Sequence, residues 1–214
     1  MTTWRSSQKA DRRARLLAEA AALFARRGFA AVTTVEIGEA VGMSGPALYR
    51  HFPSKDAILA ELLVDASERL LQGCREITAN AGPADAVAAA TVLDELIAFH
   101  IGFATAAPDI IRIQDRELDG LDPDTNHRVR RLQREYVAEW DVVLATAAPG
   151  LSAPERQTRL LGVFGLLNST PHSAGASGED AARILAGMAR RALRDAAALS
   201  AADSPDRDSY PAGT

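Results

Sequence analysis

With 214 residues, 47% of them hydrophobic, the chain is long enough for one large or two small domains and for a core that needs no disulfides. Its single cysteine, Cys74, excludes an internal disulfide and a cysteine-type zinc site and fits a reducing cytoplasm. The net charge of −4 is unevenly spread: residues 1–55 hold nine Lys/Arg against four Asp/Glu, a net of +5, and the remainder carries −9. A basic head on an acidic body is the asymmetry expected of a nucleic-acid-binding domain joined to one that avoids nucleic acid.

The opening MTTWRSSQKADRR is basic with no apolar segment behind it, so it does not read as a signal peptide. Its Arg5, Lys9, Arg12 and Arg13 suit either an arm reaching phosphates or a minor groove, or a solvated basic tail. Periodicity then predicts helices over 9–27, 34–41, 45–51, 55–79, 85–106, 109–118, 125–147, 153–170 and 179–199. The breaks fall at Gly28, Gly42, Pro53, Gly82-Pro83, Pro108, Asp122-Pro123, Pro149-Gly150 and Pro171 to Gly178. Alternating β-branched runs are absent, which predicts an all-α fold. No uncharged apolar run of about 18 residues exists, so no membrane span is expected. The stretch from about Ala201, rich in Pro, Asp and Ser, reads as a disordered tail.

The segment Thr33 to Lys55, TTVEIGEAVGMSGPALYRHFPSK, reads as two short helices across a tight turn, followed by the start of a third. Thr33 with Glu36 forms a capping-box pattern, and Gly42 stands where a glycine stops a helix. Ser44 is expected to cap the next helix, with Pro46 in its first turn. Leu48 and Phe52, four apart, turn inward. Gly45, Pro46 and Ala47 are small enough to let a helix end approach base edges, with apolar contacts to thymine methyls. Arg50 has the side chain suited to reading guanine bidentately, whereas Ser44, Tyr49 and His51 suit phosphates. Ser54 is expected to cap the helix on which Lys55 offers a further phosphate contact. The spacing alone fits a DNA-reading helix-turn-helix or a plain helical hairpin.

From about Arg12 to Leu62 the chain resembles the N-terminal domain of TetR-family transcriptional regulators. The resemblance rests on Leu23-Phe24-Ala25 with Gly28-Phe29, on Thr33…Ile37…Gly42-Met43-Ser44, and on Leu48-Tyr49-Arg50-His51-Phe52-Pro53-Ser54-Lys55. It implies an all-helical homodimer with a three-helix helix-turn-helix domain and a C-terminal helical ligand-binding and dimerisation domain. In this chain these are assigned to 1–54 and 55–200, with 201–214 as tail. It also implies a repressor released from a palindromic double-stranded operator by a small molecule. By motif position, DNA contacts carry onto Thr33, Ser44, Gly45, Pro46, Ala47, Tyr49, Arg50, His51 and Lys55. One departure is Gly38, where the family usually has Ala after the isoleucine; a mid-helix glycine costs about 1 kcal/mol and predicts a softer helix. The rival reading is an all-helical dimeric interaction protein without sequence-specific DNA binding.

In the body, Phe99, His100, Phe103, Arg112, Arg116, Tyr136, Trp140 and Asn168 are polar or aromatic groups set in apolar runs. They are the candidate ligand-binding residues, and each also has an ordinary core or surface reading. Aromatics beside arginines suit a small apolar or acyl-type effector with an anionic head. Phe164-Gly165-Leu166-Leu167-Asn168 resembles a segment of acyl-CoA-sensing TetR-family members, except that Ser169 stands near the place of an aromatic. Two apolar helices, with Leu160, Leu161, Val163, Phe164, Leu166 and Leu167 on one and Ile184, Leu185, Met188, Ala189, Ala192 and Leu193 on the other, suit a two-fold interface or a simple core. The four histidines have no metal-ligand spacing, and no Gly-rich phosphate loop or GxSxG elbow is present. The chain is therefore expected to be no enzyme, to carry neither metal nor cofactor, and to act in the cytoplasm.

Overall fold

A computed structural model describes residues 4–80, 85–172 and 178–194. Among these residues there are nine α-helices and no strand: α1 Trp4–Arg27, α2 Thr34–Ala40, α3 Gly45–Tyr49, α4 Lys55–Asn80, α5 Ala86–Ala106, α6 Pro108–Glu117, α7 Pro123–Ala147, α8 Ala153–Asn168 and α9 Gly178–Arg194. Single 3₁₀ turns follow α6 at Leu118–Gly120 and α8 at Thr170–His172. The all-α expectation holds. The tail from 201 and residues 195–199 of the last expected helix lie outside the described residues.

Two apolar cores form. The head core joins Leu16, Ala20 and Phe24 of α1 to Ile37, Leu48, Phe52 and the first turns of α4 (Ile58, Leu59, Leu62, Leu63), and it takes in Ile113 of α6 and Val129 of α7. The body core begins about two turns further along α4, at Leu71 and Cys74, and gathers the inward faces of α5, α7, α8 and α9 around Trp140. Helix α4 therefore runs through both, and α6 bridges them. Among the described helices α5 alone is long and apolar enough to cross a membrane, but its Val92, Leu93, Leu96, Ile97 and Ile101 face the body core.

The helix ends follow from local chemistry. Asp85 and Asp122 accept from the amides of Ala88 and Thr125 at the starts of α5 and α7. Ser152 and Glu155 form a second capping box at α8. Pro108, Pro123 and Pro154 occupy first turns, where no intrahelical N–H is required.

Candidate DNA-reading head and effector cavity

The helix-turn-helix is built by its own caps. Glu36 accepts from the Thr33 amide and hydroxyl, both at 2.8 Å, and the Glu36 amide returns to Thr33 Oγ1 at 3.2 Å. The Thr33 amide, then the Arg27 guanidinium and the Thr33 hydroxyl, hold the Glu36 carboxyl down to a pKa of about 2. Gly42, at φ +66°, ends α2 in the left-handed region.

Gly38 has a packing reason. The turn folds back so that the Met43 amide donates to the Gly38 carbonyl at 2.8 Å. A Cβ on Gly38 would lie 2.9 Å from the Met43 carbonyl oxygen. The expected softening of α2 is thus the smaller effect; the glycine permits a close backbone approach across the turn.

Two expectations for the head need correcting. Ser44 sits at the N-cap of α3 but makes no side-chain cap bond; α3 starts on backbone bonds from Ala47 and Leu48 to the Ser44 carbonyl. The recognition helix is also shorter than expected, ending at Tyr49, so that Arg50 is its C-cap and His51 lies beyond it. Thr33, Ser44, Pro46, Tyr49 and Arg50 are exposed; Gly45, Ala47, His51 and Lys55 are half-buried. Tyr49 Oη shares a hydrogen bond with Thr34 Oγ1 at 3.2 Å. Ser54 caps α4 as expected, accepting from the Ala57 amide.

Lys55 and Arg13 are already engaged inside the head. The Lys55 ammonium donates to the carbonyls of Phe29 at 2.7 Å and Val32 at 2.9 Å, and lies 4.2 Å from the Phe29 ring centroid. Arg13 pairs with Glu61, donates to the His51 carbonyl at 3.0 Å and covers the Phe52 ring at 4.1 Å. Arg13 thus clamps α1 to α4 rather than extending from an arm. The side chains of Arg5 and Lys9 lie outside the described residues.

In the body, a cavity of about 750 Å³ opens between α4, α6, α7 and α8, with α5 behind it. Its wall brings together three of the expected ligand residues, His100, Tyr136 and Asn168. His100 Nδ1 lies 3.0 Å from Tyr136 Oη, and its Nε2 lies 3.0 Å from Asn168 Oδ1. Burial depresses the His100 pKa, opposed by the bond to Asn168, and so keeps the ring neutral. Burial likewise raises the Tyr136 hydroxyl, and it pushes the Cys74 thiol up to about 12.

Trp140 stands behind this wall, completely buried, its ring edge-on to Tyr136 and Phe164 at 6.0 and 5.0 Å. Its Nε1 finds no acceptor among the described residues. Trp140 is core rather than lining.

The other four expected ligand residues lie elsewhere. Phe99 sets the far end of its ring against Gly73, where a Cβ would meet it at 2.3 Å. Phe103 lies under Arg69 in a smaller cavity of about 340 Å³ between α1, α4 and the α5–α6 corner. Arg112 pairs with Asp109, and Arg116 donates to the Ala25 carbonyl at 3.1 Å. The arginines at the cavity are instead Arg130, bound to Asp119 and Asn126, and exposed Arg134. Sequence reasoning passed over these, along with Ser67, Gln133, Gln157 and Leu161. The available signal was the 130, 133, 134, 137, 141 spacing on α7, which marks one helix face without saying what it faces.

The family model for bacterial regulatory proteins of the tetR family matches residues 16–62, the stretch that builds the head core. Over this stretch the chain is similar to TetR-family regulators. The HTH-type transcriptional repressor KstR2 of Rhodococcus jostii (strain RHA1) is 41% identical over 75 residues, which is 35% of this chain and 37% of that relative. The chain thus spans little more than a third of that relative's length. In overall fold it is similar to a TetR-family transcriptional regulator from Bordetella parapertussis, with a TM-score of 0.75, 24% identity, and 86% of this chain and 94% of the other covered. It is also similar to AibR, solved with isovaleryl coenzyme A and operator DNA, with a TM-score of 0.65, 19% identity, and coverage of 83% and 97%.

Proposed function

We propose that this chain is a DNA-binding transcriptional repressor of the TetR family that leaves a palindromic operator when a small apolar or acyl-type effector occupies the body cavity. The observation that carries the reading is the double engagement of α6. Ile111 and Gln114 of this helix line the cavity. Its last turn holds the head: Arg116 donates to the Ala25 carbonyl, and Glu117 accepts from the Phe29 amide at 3.1 Å. A ligand that shifts α6 shifts the corner on which α2 and α3 are mounted. It changes operator occupancy only by its difference in affinity between the two arrangements.

DNA contact is assigned to Thr33, Ser44, Gly45, Pro46, Ala47, Tyr49, Arg50, His51 and Lys55, with Arg50 reading a base and Lys55 chiefly holding the loop that presents Thr33. Aromatic and aliphatic groups in the cavity wall, with Arg130 and Arg134 beside them, support an apolar body with an anionic end. AibR, of the same fold, was solved with an acyl-CoA and operator DNA, which agrees with this reading.

A homodimer is supported by apolar residues left outward on the last two helices. Leu161, Ile184 and Met188 are exposed, and beside Leu161 the glycines Gly162 and Gly165 of α8 meet open space. Two copies would bring two recognition helices to half-sites one DNA turn apart.

The test is Arg116→Ala, measured as operator affinity with and without octanoyl-CoA. The expected result is near-normal operator binding with release reduced severalfold. Undiminished release would remove α6 from the route.

A further inference from the structure

Tyr136 is 5% exposed, and its hydroxyl lies 3.0 Å from His100 Nδ1, an acceptor within reach. A buried hydroxyl donates where an acceptor is available. If it donates here, Nδ1 carries no proton, and the neutral ring holds its proton on Nε2. That N–H points at Asn168 3.0 Å away and requires an oxygen there. The side-chain amide of Asn168 is thereby fixed with its oxygen inward, and its NH₂ group is left over. No hydrogen bond is made by that nitrogen among the described residues, yet it is not among the sealed polar atoms, and Asn168 lines the cavity.

Resting on the effector-cavity reading above, we infer that the effector carries a hydrogen-bond acceptor oxygen, of the carbonyl type, that is read by the Asn168 amide, and that His100 and Tyr136 are positioning residues holding this amide donor-outward. The relay explains why three polar side chains sit together beside the Phe164 ring, in front of the buried Trp140. A freely turning amide would offer donor and acceptor alike; this one offers the donor. An acceptor-free analogue leaves that donor unpaired in a desolvated site, which is the circumstance in which polar groups discriminate most strongly.

The experiment compares two probes that differ in one oxygen, octanoyl-CoA and the thioether S-octyl-CoA, by titration calorimetry on the full chain. The wild type is expected to bind octanoyl-CoA about tenfold or more tightly than the thioether. In Asn168→Leu the two affinities should converge on the thioether value, and the thioether itself should be unchanged within about twofold. The near-isosteric Asn168→Asp, which replaces the donor by an oxygen, should lose the discrimination in the same way and serves if the leucine variant does not fold. His100→Phe keeps the aromatic packing but frees the amide, and should shrink the ratio between the probes; a purely structural role would weaken both probes equally. Equal wild-type affinity for both probes, or discrimination that survives in Asn168→Asp, overturns this inference and leaves the effector cavity standing. Binding of neither probe to the wild type overturns the acyl-effector reading and this inference with it.

Discussion

In the head, every residue proposed to meet DNA comes from one continuous stretch, Thr33 to Lys55, and the bonds that shape that stretch are mostly local: the Thr33–Glu36 box, the Met43–Gly38 turn and the Ser54 cap. In the body, the cavity wall draws on five helices between Ser67 and Asn168, and its polar relay joins residues 36 and 68 positions apart. The head is therefore a surface that a short sequence specifies, whereas the cavity is a product of packing. The two also differ in what occupies their polar groups. Several head side chains face solvent; the His100 relay faces inward and is satisfied except at one amide nitrogen.

If the two regions carry separable tasks, core truncations should separate them. Phe52→Ala and Trp140→Ala each remove a fully buried ring and should cost about 3–5 kcal/mol in denaturant unfolding. The first is expected to abolish operator binding while octanoyl-CoA still binds, and the second the reverse. A variant that loses both tasks with its fold otherwise intact would show that the cores unfold as one unit, through α4 and α6.

Within the head, the contrast is between a reader and a support. Arg50→Ala should relax base preference at one operator position by about 1–3 kcal/mol, measured against single-base operator variants. Lys55→Ala should weaken all sequences evenly, and it should also lower thermal stability, because two carbonyls lose a charged donor. Equal, sequence-independent losses from both would reassign Arg50, which caps the end of α3, to a phosphate.

Smaller but opposite in sign to helix propensity is Gly38→Ala. Propensity favours alanine by about 1 kcal/mol. The contact with the Met43 carbonyl should outweigh it, for a net destabilisation of about 1–2 kcal/mol. A stabilised variant would mean that the turn yields readily.

Acid should affect the regions in order. His100, with its pKa depressed by burial, binds a proton more readily unfolded, so body stability falls as pH drops below its ordinary value of 6.5. Glu36, held near 2 against an ordinary 4.5, contributes fully above 4.5 and is lost as pH falls toward 2. Residue-resolved NMR through an acid titration should show changes around Tyr136 and Phe164 before α2 frays, and Glu36→Gln should remove the second step alone.

The same contrast explains what the sequence made legible. All nine helices were readable because Gly, Pro and capping residues punctuate the chain, and the head residues were readable because helix-turn-helix chemistry is local. Five of the eight ligand candidates line no part of the main cavity for reasons that spacing does not encode: Trp140 fills the core behind the wall. Phe99 finds the bare backbone of Gly73, Phe103 a second cleft, Arg112 its neighbour Asp109, and Arg116 the end of α1. The relay of His100, Tyr136 and Asn168 was visible as three candidates but not as a unit, because only the packing of α5, α7 and α8 brings them within 3.0 Å of each other in sequence-distant pairs. The role of Gly38 was hidden because its partner is a backbone carbonyl across the turn.

The most direct measurement is selection of random duplex DNA by the full chain at two salt concentrations. A two-fold-symmetric site bound with steep salt dependence is the predicted result, since a dimer contacting phosphates on both half-sites releases many counterions. Weak binding without sequence enrichment, from protein stripped of bound ligand, would contradict the account and leave the helical interaction protein in its place.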